Sequence, residues 1–373
     1  MRHEITICKR CVMDSTDPTI EFDENGYCNY CNYALDTKKE RWLNTPEGQK
    51  KLDEIIEKIK YENKDKKYDC MIGLSGGLDS SYLAYICKEK YNLRMLALHV
   101  DTGWNTVTSE KNIKKLCEKM DIDLIVEKLN QEEFMDLQRA YFLSGVPSQD
   151  NPQDHMFLAL LFKYAKSNGI KYFLSGANFS TENILQKGNG YIAADKVNLL
   201  DIHKRFGRVE LKTLPTMSLF DRYIKYRFIN KVIMVRPLDY MNYDFKESIK
   251  ELEENVNFDY YGGKHYESIF TKFFQEYYLP HKYNYDKRKS HLSSLIVTDQ
   301  ITRNEALEKL KQPLYNEEQI KNDIKFIINK IDITMDEFEK VINLPPVSHH
   351  KFKTSKWIKF YDVAVRFRRL LGE

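Results

Sequence analysis

One short segment constrains the fold of this chain more than any other. An apolar run ending at Gly73-Leu74 continues as Ser75-Gly76-Gly77-Leu78-Asp79-Ser80 and then enters a helical pattern. Glycines let a backbone approach an anion closely and take up turn geometries closed to other residues. The free N–H groups at the start of the following helix favour a bound phosphate. The order of strand, double glycine and helix therefore predicts a phosphate-binding loop at the end of a buried strand.

Short apolar strands alternate with helical patterns along most of the chain. Strands are predicted over 69–74, 95–100, 124–127, 172–175 and 231–235, and helices over 46–62, 80–90, 109–120, 132–144, 155–168 and 244–254. This alternation predicts an α/β fold with a doubly wound parallel sheet. From about residue 258 the character changes, and helices follow over 303–311, 317–331, 335–342 and 355–371, with a capping box at Thr334 and Glu337. We expect three regions: 1–40, 41–255 and 256–373.

The loop has side chains suited to a magnesium–nucleotide complex. Ser75 and Ser80 can donate hydrogen bonds to phosphate oxygens, and Asp79 is a natural Mg²⁺ ligand. The Walker pattern and the dinucleotide pattern G-x-G-x-x-G are both absent. The hexapeptide resembles the S-G-G-x-D-S loop of the PP-loop (HUP-like) enzymes, which cleave ATP between the α and β phosphates. A Gly-Gly turn with incidental serines is the competing interpretation, and the complete motif after a strand argues against it.

Two other strand ends should meet the loop, because ligands of open α/β sheets bind at the carboxyl ends of the strands. His99 and Asp101 close the second strand, and Ser175-Gly176-Ala177-Asn178 follows a later one. For Asn178 a plain turn is a serious competitor. The resemblance implies an ATP site made of Leu74, Ser75, Gly76, Gly77, Asp79, Ser80, Ser81, His99, Asp101 and Gly176. Asp150 and Asp154 could touch metal or substrate or could cap the helix near His155; for Asp154 the cap is preferred.

Four of the seven cysteines form a C-x2-C-x16-C-x2-C pattern, Cys8, Cys11, Cys28 and Cys31. Four thiolates at this spacing predict a structural Zn²⁺ site in a zinc-ribbon-like module, with an iron–sulfur cluster as the alternative. Four protein ligands leave no position for a substrate, so we expect no catalytic role. The remaining cysteines, Cys70, Cys87 and Cys117, stand in apolar contexts and are predicted to be buried.

Residues 260–296 crowd aromatic and cationic side chains together. Such a segment could clamp a phosphorylated or carboxylated sugar, although a solvated charged face and a helical core of aromatics are the plainer interpretations. The four-Cys module, the phosphate loop, Y-Y-G-G-K-H-Y-E-S and D-K-R-x-x-H-L-S-S-L-I together resemble the N-acetyl sugar amidotransferases of bacterial surface polysaccharide and flagellin glycosylation. The similarity spans about residues 5–312. The predicted substrate residues are Asp150, Asn178, Lys264, His265, Glu267, Lys282, Arg288 and His291, and the predicted catalytic ones are Ser75, Asp79, Lys264 and Lys282.

The resemblance implies that ATP adenylates the acetamido oxygen of a nonulosonic or diacetamido-uronic acid type of sugar and that ammonia then displaces AMP. Arg2 occupies the position where an N-terminal cysteine nucleophile would stand, so we expect ammonia from a separate glutaminase with a barrel subunit like that of histidine biosynthesis. The competing hypotheses are a tRNA-modifying PP-loop enzyme, for thiolation or lysidine-type ligation, and a nucleotide-sensing scaffold.

Bulk composition sets wider bounds. Apolar residues make up 42% of the 373, enough for a sizeable core, and the net charge is only +3. A dedicated nucleic-acid binder carries a stronger basic excess. The chain has neither a signal-like N-terminus nor an apolar run approaching the ~20 residues of a membrane span, so we expect a cytoplasmic location.

Overall fold

The computed structural model describes residues 5–186 and 190–358. They form two compact units that interleave along the chain. The first comprises Met1–Glu127, Tyr172–Gly190 and Met234–Ile324, and the second comprises Lys128–Lys171, Tyr191–Ile233 and Lys325–Glu373. The boundaries expected at residues 40 and 255 both fall inside the first unit. No described helix is long and apolar enough to cross a membrane.

Five strands form one sheet: β1 Cys70–Gly73, β2 Met95–Asp101, β3 Asp123–Lys128, β4 Tyr172–Leu174 and β5 Ile233–Val235. Their spatial order is β3-β2-β1-β4-β5. β1 pairs in parallel with β2, where Ile72 lies opposite Ala97, and with β4, where Ile72 lies opposite Leu174. The order runs outward from β1 in both directions, which confirms the doubly wound fold. The switch point lies between β1 and β4, where such folds bind their ligands.

The helices fall into the same two units. In the first unit they are α1 Asn29–Arg41, α2 Pro46–Glu62, α3 Leu78–Glu89, α4 Val107–Lys119, α7 Phe179–Glu182, α9 Phe245–Val256, α10 Ile269–Phe273, α11 Leu279–Tyr283, α12 Lys287–Val297 and α13 Arg303–Lys311. In the second unit they are α5 Gln131–Ser144, α6 Asn151–Ser167, α8 Lys196–Phe206 and α15 Met335–Asn343, while α14 Glu317–Lys330 begins in the first unit and ends in the second. A π-helical turn, Phe274–Tyr278, joins α10 to α11.

The core beside the sheet follows from amphipathic helices. In α2, Leu52, Ile56 and Ile59 recur at helical spacing and are fully buried in the same cluster as Ile72 of β1. Burial of each such side chain contributes about 1.5–3 kcal/mol. Thr45 caps this helix by accepting from the Gly48 N–H, and Pro46 occupies its first turn, where its missing N–H costs nothing.

Several predicted boundaries were wrong for identifiable reasons. Helix α6 begins at Asn151 rather than near His155, because Pro152 is tolerated in a first turn; Asp150 therefore stands at the N-cap and Asp154 lies within the helix. The cap assigned to Asp154 was wrong.

Helix α1 lacks apolar periodicity and was not predicted. The capping box of Thr334 and Glu337 is confirmed. Most of the helix expected over 355–371 lies outside the described residues.

Candidate functional site

The predicted phosphate loop lies at the switch point of the sheet. Gly76 has a φ of +80° and Gly77 is the N-cap of α3, with no side-chain oxygen capping the helix. The Ser75 hydroxyl accepts from the Gly77 N–H at 3.1 Å and lies 3.3 Å from the Ser80 hydroxyl. The N–H groups at the start of a helix favour a bound anion, and here they follow the double glycine directly, as the loop motif predicts.

Gly176, which follows β4, lies against the first turn of α3. A Cβ atom on Gly176 would come within 3.1 Å of the Ser80 nitrogen and 3.2 Å of the Asp79 carbonyl carbon. Only a glycine fits this approach without a shift of the helix. The loops after β1 and β4 are therefore packed together at the edge where the predicted ATP site lies.

Asp79 is held by three side chains from different parts of the first unit. Its Oδ1 accepts from the Tyr243 hydroxyl at 2.6 Å and from Asn178 Nδ2 at 3.2 Å, and its Oδ2 lies 3.3 Å from Lys264 Nζ. Asn178 caps α7 through its oxygen, which accepts from the Thr181 N–H. Both polar atoms of Asn178 are thus engaged within the protein, which favours a role in orienting Asp79 over direct contact with a substrate.

Lys264 forms a second ion pair with Glu182, at 2.8 Å, and donates to the Thr181 hydroxyl at 2.9 Å. Burial lowers the pKa of Lys264, but the carboxylates of Asp79 and Glu182 outweigh it and raise the pKa above its usual value. For Glu182 burial raises the pKa, and the positive charge of Lys264 more than reverses that shift. The lysine is therefore a fixed cation beside the phosphate loop.

The aromatic-basic segment reaches this site through backbone pairing with the residues after β2. Asn105 forms an antiparallel bridge with Ser268, the Thr106 N–H donates to the Glu267 carbonyl, and the Ile269 N–H donates to the Trp104 carbonyl. This pairing places the Glu267 side chain against the loop: a Cβ atom on Gly77 would lie 2.9 Å from Glu267 Oε1. The contact of this segment with the phosphate loop, which was not predicted, therefore has a defined backbone origin.

Two histidines accompany Lys264 and Glu267. His265, with a φ of +67°, has its Nδ1 3.8 Å from Glu267 Oε1. The His291 ring lies 5.6 Å from that of His265. Burial, together with the positive charges of Lys264, His265 and Lys287, holds the pKa of His291 well below its usual range, so this imidazole is neutral.

The end of β2 contributes a buried ring rather than an exposed one. His99 is 5% exposed; its Nδ1 donates to the Leu74 carbonyl at 2.8 Å, and its Nε2 accepts from Asn105. The carbonyl can only accept, which fixes the tautomer. Asp101 accepts from the Gly103 N–H at 2.8 Å. Ser81 is fully buried in α3. His99 and Ser81 are thus buried within the protein, whereas Asp101 is partly exposed.

Other predicted residues lie elsewhere or are engaged in the scaffold. Asp150 belongs to the second unit. Arg288 is paired with the Asp286 carboxylate at 2.8 Å and donates to the Gln312 carbonyl, which favours a structural role. Lys282 is 6% exposed in α11, and burial lowers the pKa of its ammonium. None of these placements by itself assigns a contact with substrate.

Two contributors to the site were missed. Tyr243 is one of 25 tyrosines and stands outside any motif, so nothing in the sequence distinguishes it. It is 1% exposed, and burial followed by the Asp79 charge raises its pKa well above the usual value, which keeps it a donor. Glu182 could have been noticed as an acidic residue in the first turn after a strand end. Its ion pair with Lys264, 82 positions later, could not have been predicted from the sequence.

The four cysteines of the N-terminal pattern converge on one point. Their sulfur atoms all lie within 4.8 Å of one another, with 3.7 Å between Cys8 and Cys31 and 3.5 Å between Cys11 and Cys28. Backbone N–H groups of Cys11 and Cys28 donate to Cys8 Sγ, and Arg303 binds the carbonyls of Cys8 and Cys11. All four are fully buried. The cluster can hold a metal ion.

Two known domain families match parts of the chain. Residues 44–141 match the PP-loop domain, and residues 267–365 match the C-terminal domain of LPS biosynthesis protein WbpG-like proteins. The first match includes the phosphate loop. The second begins at Glu267 and continues well beyond residue 312, where the motifs recognised in the sequence end.

Similarity to individual proteins covers shorter stretches. The tRNA(Ile)-lysidine synthase of Chlamydia pneumoniae is 26% identical over 125 residues, which is 33% of this chain and 36% of that protein. The tRNA-specific 2-thiouridylase MnmA 2 of Fusobacterium nucleatum subsp. nucleatum is 32% identical over 120 residues, 30% of this chain and 34% of that one. The chain thus spans about a third of the length of these two curated relatives.

Among solved structures, the NH3-dependent NAD synthetase of Campylobacter jejuni aligns over 56% of this chain and 85% of the synthetase chain, with 19% sequence identity and a TM-score of 0.30. A superposition at that level carries no argument. The strand order described above shows the fold, and two separate stretches of the chain, residues 44–141 and 267–365, match a PP-loop domain and a WbpG-like C-terminal domain.

Proposed function

We propose that this chain is an ATP-dependent amidotransferase that converts the acetamido group of a bacterial surface sugar into an acetamidino group. The sugar is of the nonulosonic or diacetamido-uronic acid type. One observation carries the proposal: the region matching the LPS-biosynthesis domain begins at Glu267, and that side chain lies against Gly77 of the phosphate loop. Lys264, three residues earlier, is paired with Asp79 of the same loop.

The chemistry needs ATP because an amide is a poor electrophile. In the first step the acetamido oxygen attacks the α-phosphate, pyrophosphate leaves, and the amide nitrogen gives up its proton, which yields an O-adenylated imidate. In the second step ammonia adds to the imidate carbon and AMP leaves with the oxygen. The contribution of the protein is to position the reactants and neutralise phosphate charge.

Each part of the site has a role in this scheme. The N–H groups of the loop and the hydroxyls of Ser75 and Ser80 bind the β- and γ-phosphates. A bound Mg²⁺ would neutralise phosphate charge, and Asp79, oriented by Tyr243 and Asn178, would be its protein ligand. In the absence of nucleotide, Lys264 balances the charge of Asp79 and Glu182, and it is close enough to the loop to stabilise a phosphate oxygen when ATP is present.

Ammonia would come from a separate glutaminase, with a barrel subunit like that of histidine biosynthesis. The support is chemical. A glutaminase nucleophile must be an accessible thiolate, whereas Cys70, Cys87 and Cys117 are all buried. Burial raises the pKa of the Cys87 and Cys117 thiols to about 12 and that of Cys70 well above its usual value. The other four cysteines form the buried N-terminal cluster that can hold a metal ion.

We further propose that the ion of that cluster is Zn²⁺ in a structural role. Four thiolates at Zn–S distances of about 2.3 Å in a tetrahedron lie roughly 3.8 Å apart. The separations of 3.5 and 3.7 Å fit a single ion. An iron–sulfur cluster contains several metal atoms and spreads its thiolates further. The four thiolates fill a tetrahedral shell, so the site supplies folding energy rather than catalysis.

A second candidate is a tRNA-modifying enzyme, favoured by the similarity to the lysidine synthase and the thiouridylase. PP-loop enzymes that move sulfur usually need a reactive cysteine near ATP, and the high pKa values of the buried Cys70 and Cys87 thiols argue against one here. Lysidine-type ligation needs no cysteine and is distinguished by substrate. Tight, salt-sensitive binding of tRNA would favour it.

Mass spectrometry tests the proposal directly. Candidate acetamido sugars, free and nucleotide-linked, are incubated with the chain, ATP, Mg²⁺ and ammonium chloride. The expected product has the mass change of O replaced by NH, with AMP formed in equal amount. Asp79→Asn should abolish AMP formation, and undiminished turnover in that variant would refute the mechanism. Amidination with glutamine alone, at the rate seen with ammonium, would refute the separate glutaminase.

A further inference from the structure

Glu267 is an unusual residue for a phosphate-binding site. Its side chain is 14% exposed, its Oε1 lies against Gly77, and its buried Oε2 has no hydrogen-bonding partner among the described residues. A buried carboxylate oxygen without a donor is costly. Such a group is expected where a ligand brings the missing donor.

The charge of that ligand follows from the position. A carboxylate beside the N-terminus of α3 repels the phosphates that the loop binds unless a positive charge stands between them. Lys264 is paired with Asp79 and Glu182, and His265 lies 3.8 Å from Glu267 Oε1, so neither side chain donates a hydrogen bond to the buried Oε2. The ligand of Glu267 should therefore be a cation that also donates hydrogen bonds. Among the reactants of the proposed reaction, ammonium has both properties.

The reaction also requires a base, and the neighbouring groups are poor candidates. Asp79 accepts from Tyr243 and Asn178. Glu182 is bound to Lys264, which lowers the pKa of this carboxyl. Lys264 is held protonated, and its raised pKa prevents it from accepting a proton. Of the carboxylates at the loop, Glu267 is the one that retains a buried oxygen with no donor within the described residues.

We propose that Glu267 binds the ammonium ion for the second step and accepts its proton. The proposal rests on the amidotransferase function given above. One proton passes from ammonium to a carboxylate oxygen of Glu267. The nitrogen lone pair then forms a bond to the imidate carbon, the bond from that carbon to the AMP oxygen breaks, and AMP takes the electron pair. The three hydrogens left on the ammonia nitrogen remain with the amidinium product, so one base suffices.

The roles of Glu267 and the phosphate loop can be measured separately because adenylation of the sugar precedes the attack of ammonia. Sugar-dependent exchange of labelled pyrophosphate into ATP measures the first step alone. In Glu267→Gln we expect this exchange to stay within a few-fold of wild type. Amidine formation at subsaturating ammonium should fall on the order of 10²- to 10⁴-fold, the usual contribution of a general base. Glu267→Asp should recover part of the loss.

Hydroxylamine gives the sharpest readout. It is neutral near pH 7 and attacks without first giving up a proton, so it should restore product formation in Glu267→Gln far better than ammonium does. Glu276→Gln is the matched control: Glu276 is a buried carboxylate of the same segment, and its Oε2, 4.0 Å from Lys272 Nζ, also has no hydrogen-bonding partner within the described part of the chain. Its removal should leave the dependence on ammonium unchanged.

Binding is tested without any sugar. NMR of ¹⁵N-ammonium in the presence of the chain and Mg–ATP should show bound ammonium in wild type and not in Glu267→Gln, with sodium chloride matching the ionic strength. Loss of pyrophosphate exchange in Glu267→Gln, or an unchanged ammonium KM in that variant, would overturn the assignment while leaving the amidotransferase intact. Glu267-dependent ammonium binding, in a chain that converts no acetamido sugar, would refute the proposed function and support the ammonium site.

Discussion

The substitution Gly76→Ala tests whether the phosphate loop has the tight geometry described above. Gly76 has a φ of +80°, and a Cβ atom there would lie 2.7 Å from the Ser109 carbonyl oxygen and 2.8 Å from Ser109 Cβ. Real Cβ atoms do not come that close to other atoms. Ser109 is fully buried in the first turn of α4 and cannot move away freely.

Two costs add at this position. An L-residue in the left-handed region costs about 1–2 kcal/mol. Forcing a methyl group into a packed site costs typically about 1–3 kcal/mol more. The free energy of unfolding of Gly76→Ala should therefore fall by about 2–5 kcal/mol. Gly262 separates the two costs, because it has a φ of +86° and a Cβ atom added there would meet no described atom within 4 Å. Gly262→Ala should lose only the first about 1–2 kcal/mol.

Denaturant unfolding of both variants, followed by far-UV circular dichroism, measures the difference. Both glycines lie in the first unit, so the two substitutions perturb the same compact region. We expect Gly76→Ala to be the less stable variant by about 1–3 kcal/mol and to bind ATP at least about tenfold more weakly, because the loop must shift away from Ser109. Equal stabilities for the two variants would refute the steric argument and leave the φ value alone as the cause.

Four further outcomes follow from the charged, titratable and metal-binding groups. Purified chain should contain one Zn²⁺ by elemental analysis, and Cys28→Ser should lose both the metal and several kcal/mol of stability; an equivalent of iron and sulfide would contradict this. Lys264→Met leaves the carboxylates of Asp79 and Glu182 uncompensated and should weaken ATP binding at least about tenfold, with Lys264→Arg retaining much of the affinity, as measured by calorimetry. Because Lys264 lowers the pKa of Glu182, the ion pair stabilises the fold at pH values above the ordinary glutamate pKa of about 4.3, and this contribution is lost as the pH falls further. In Lys264→Met, the free energy of unfolding should therefore depend less steeply on pH in the acid range. Burial lowers the pKa of His155 to about 4, so its NMR signals should titrate near pH 4 rather than 6.5, and about 3 kcal/mol of stability should be lost on acidification through that interval.

Much of the fold could be read from the sequence because its signals are local. The apolar runs of β1 and β2, the amphipathic spacing of α2 and the capping box at Thr334 each depend on residues within one or two turns of each other. Boundaries were less predictable where two local signals compete. Helix α6 was expected to start near His155, yet it begins at Asn151, and Pro152 occupies its first turn, where proline is favourable.

The residues of the candidate site were likewise predictable where they belong to a local motif and unpredictable where they act through a distant partner. The loop Ser75–Ser80 and the four cysteines are contiguous patterns, and the structure brings each of them together as the spacing predicts. Tyr243 carried no signal and Glu182 only a local one, and each acts through a partner far away in the sequence. Arg288 stood in a suggestive segment, but its guanidinium binds Asp286 and the Gln312 carbonyl. Composition can concentrate cations in a segment without indicating which of them face a ligand.

The sequence by itself determined a phosphate-loop motif between a strand and a helix, a four-cysteine cluster that can hold a metal ion and a doubly wound sheet, because residue spacing and side-chain periodicity along short stretches specify each. Only the tertiary structure decided what surrounds Asp79. Pairing of residues 104–106 with 267–269 brings Lys264 and Glu267 to the loop. Packing then holds Lys264 in ion pairs with Asp79 and Glu182 and leaves Glu267 Oε2 buried without a hydrogen-bonding partner among the described residues. Those are properties of long-range contacts, and a short stretch of sequence does not encode them.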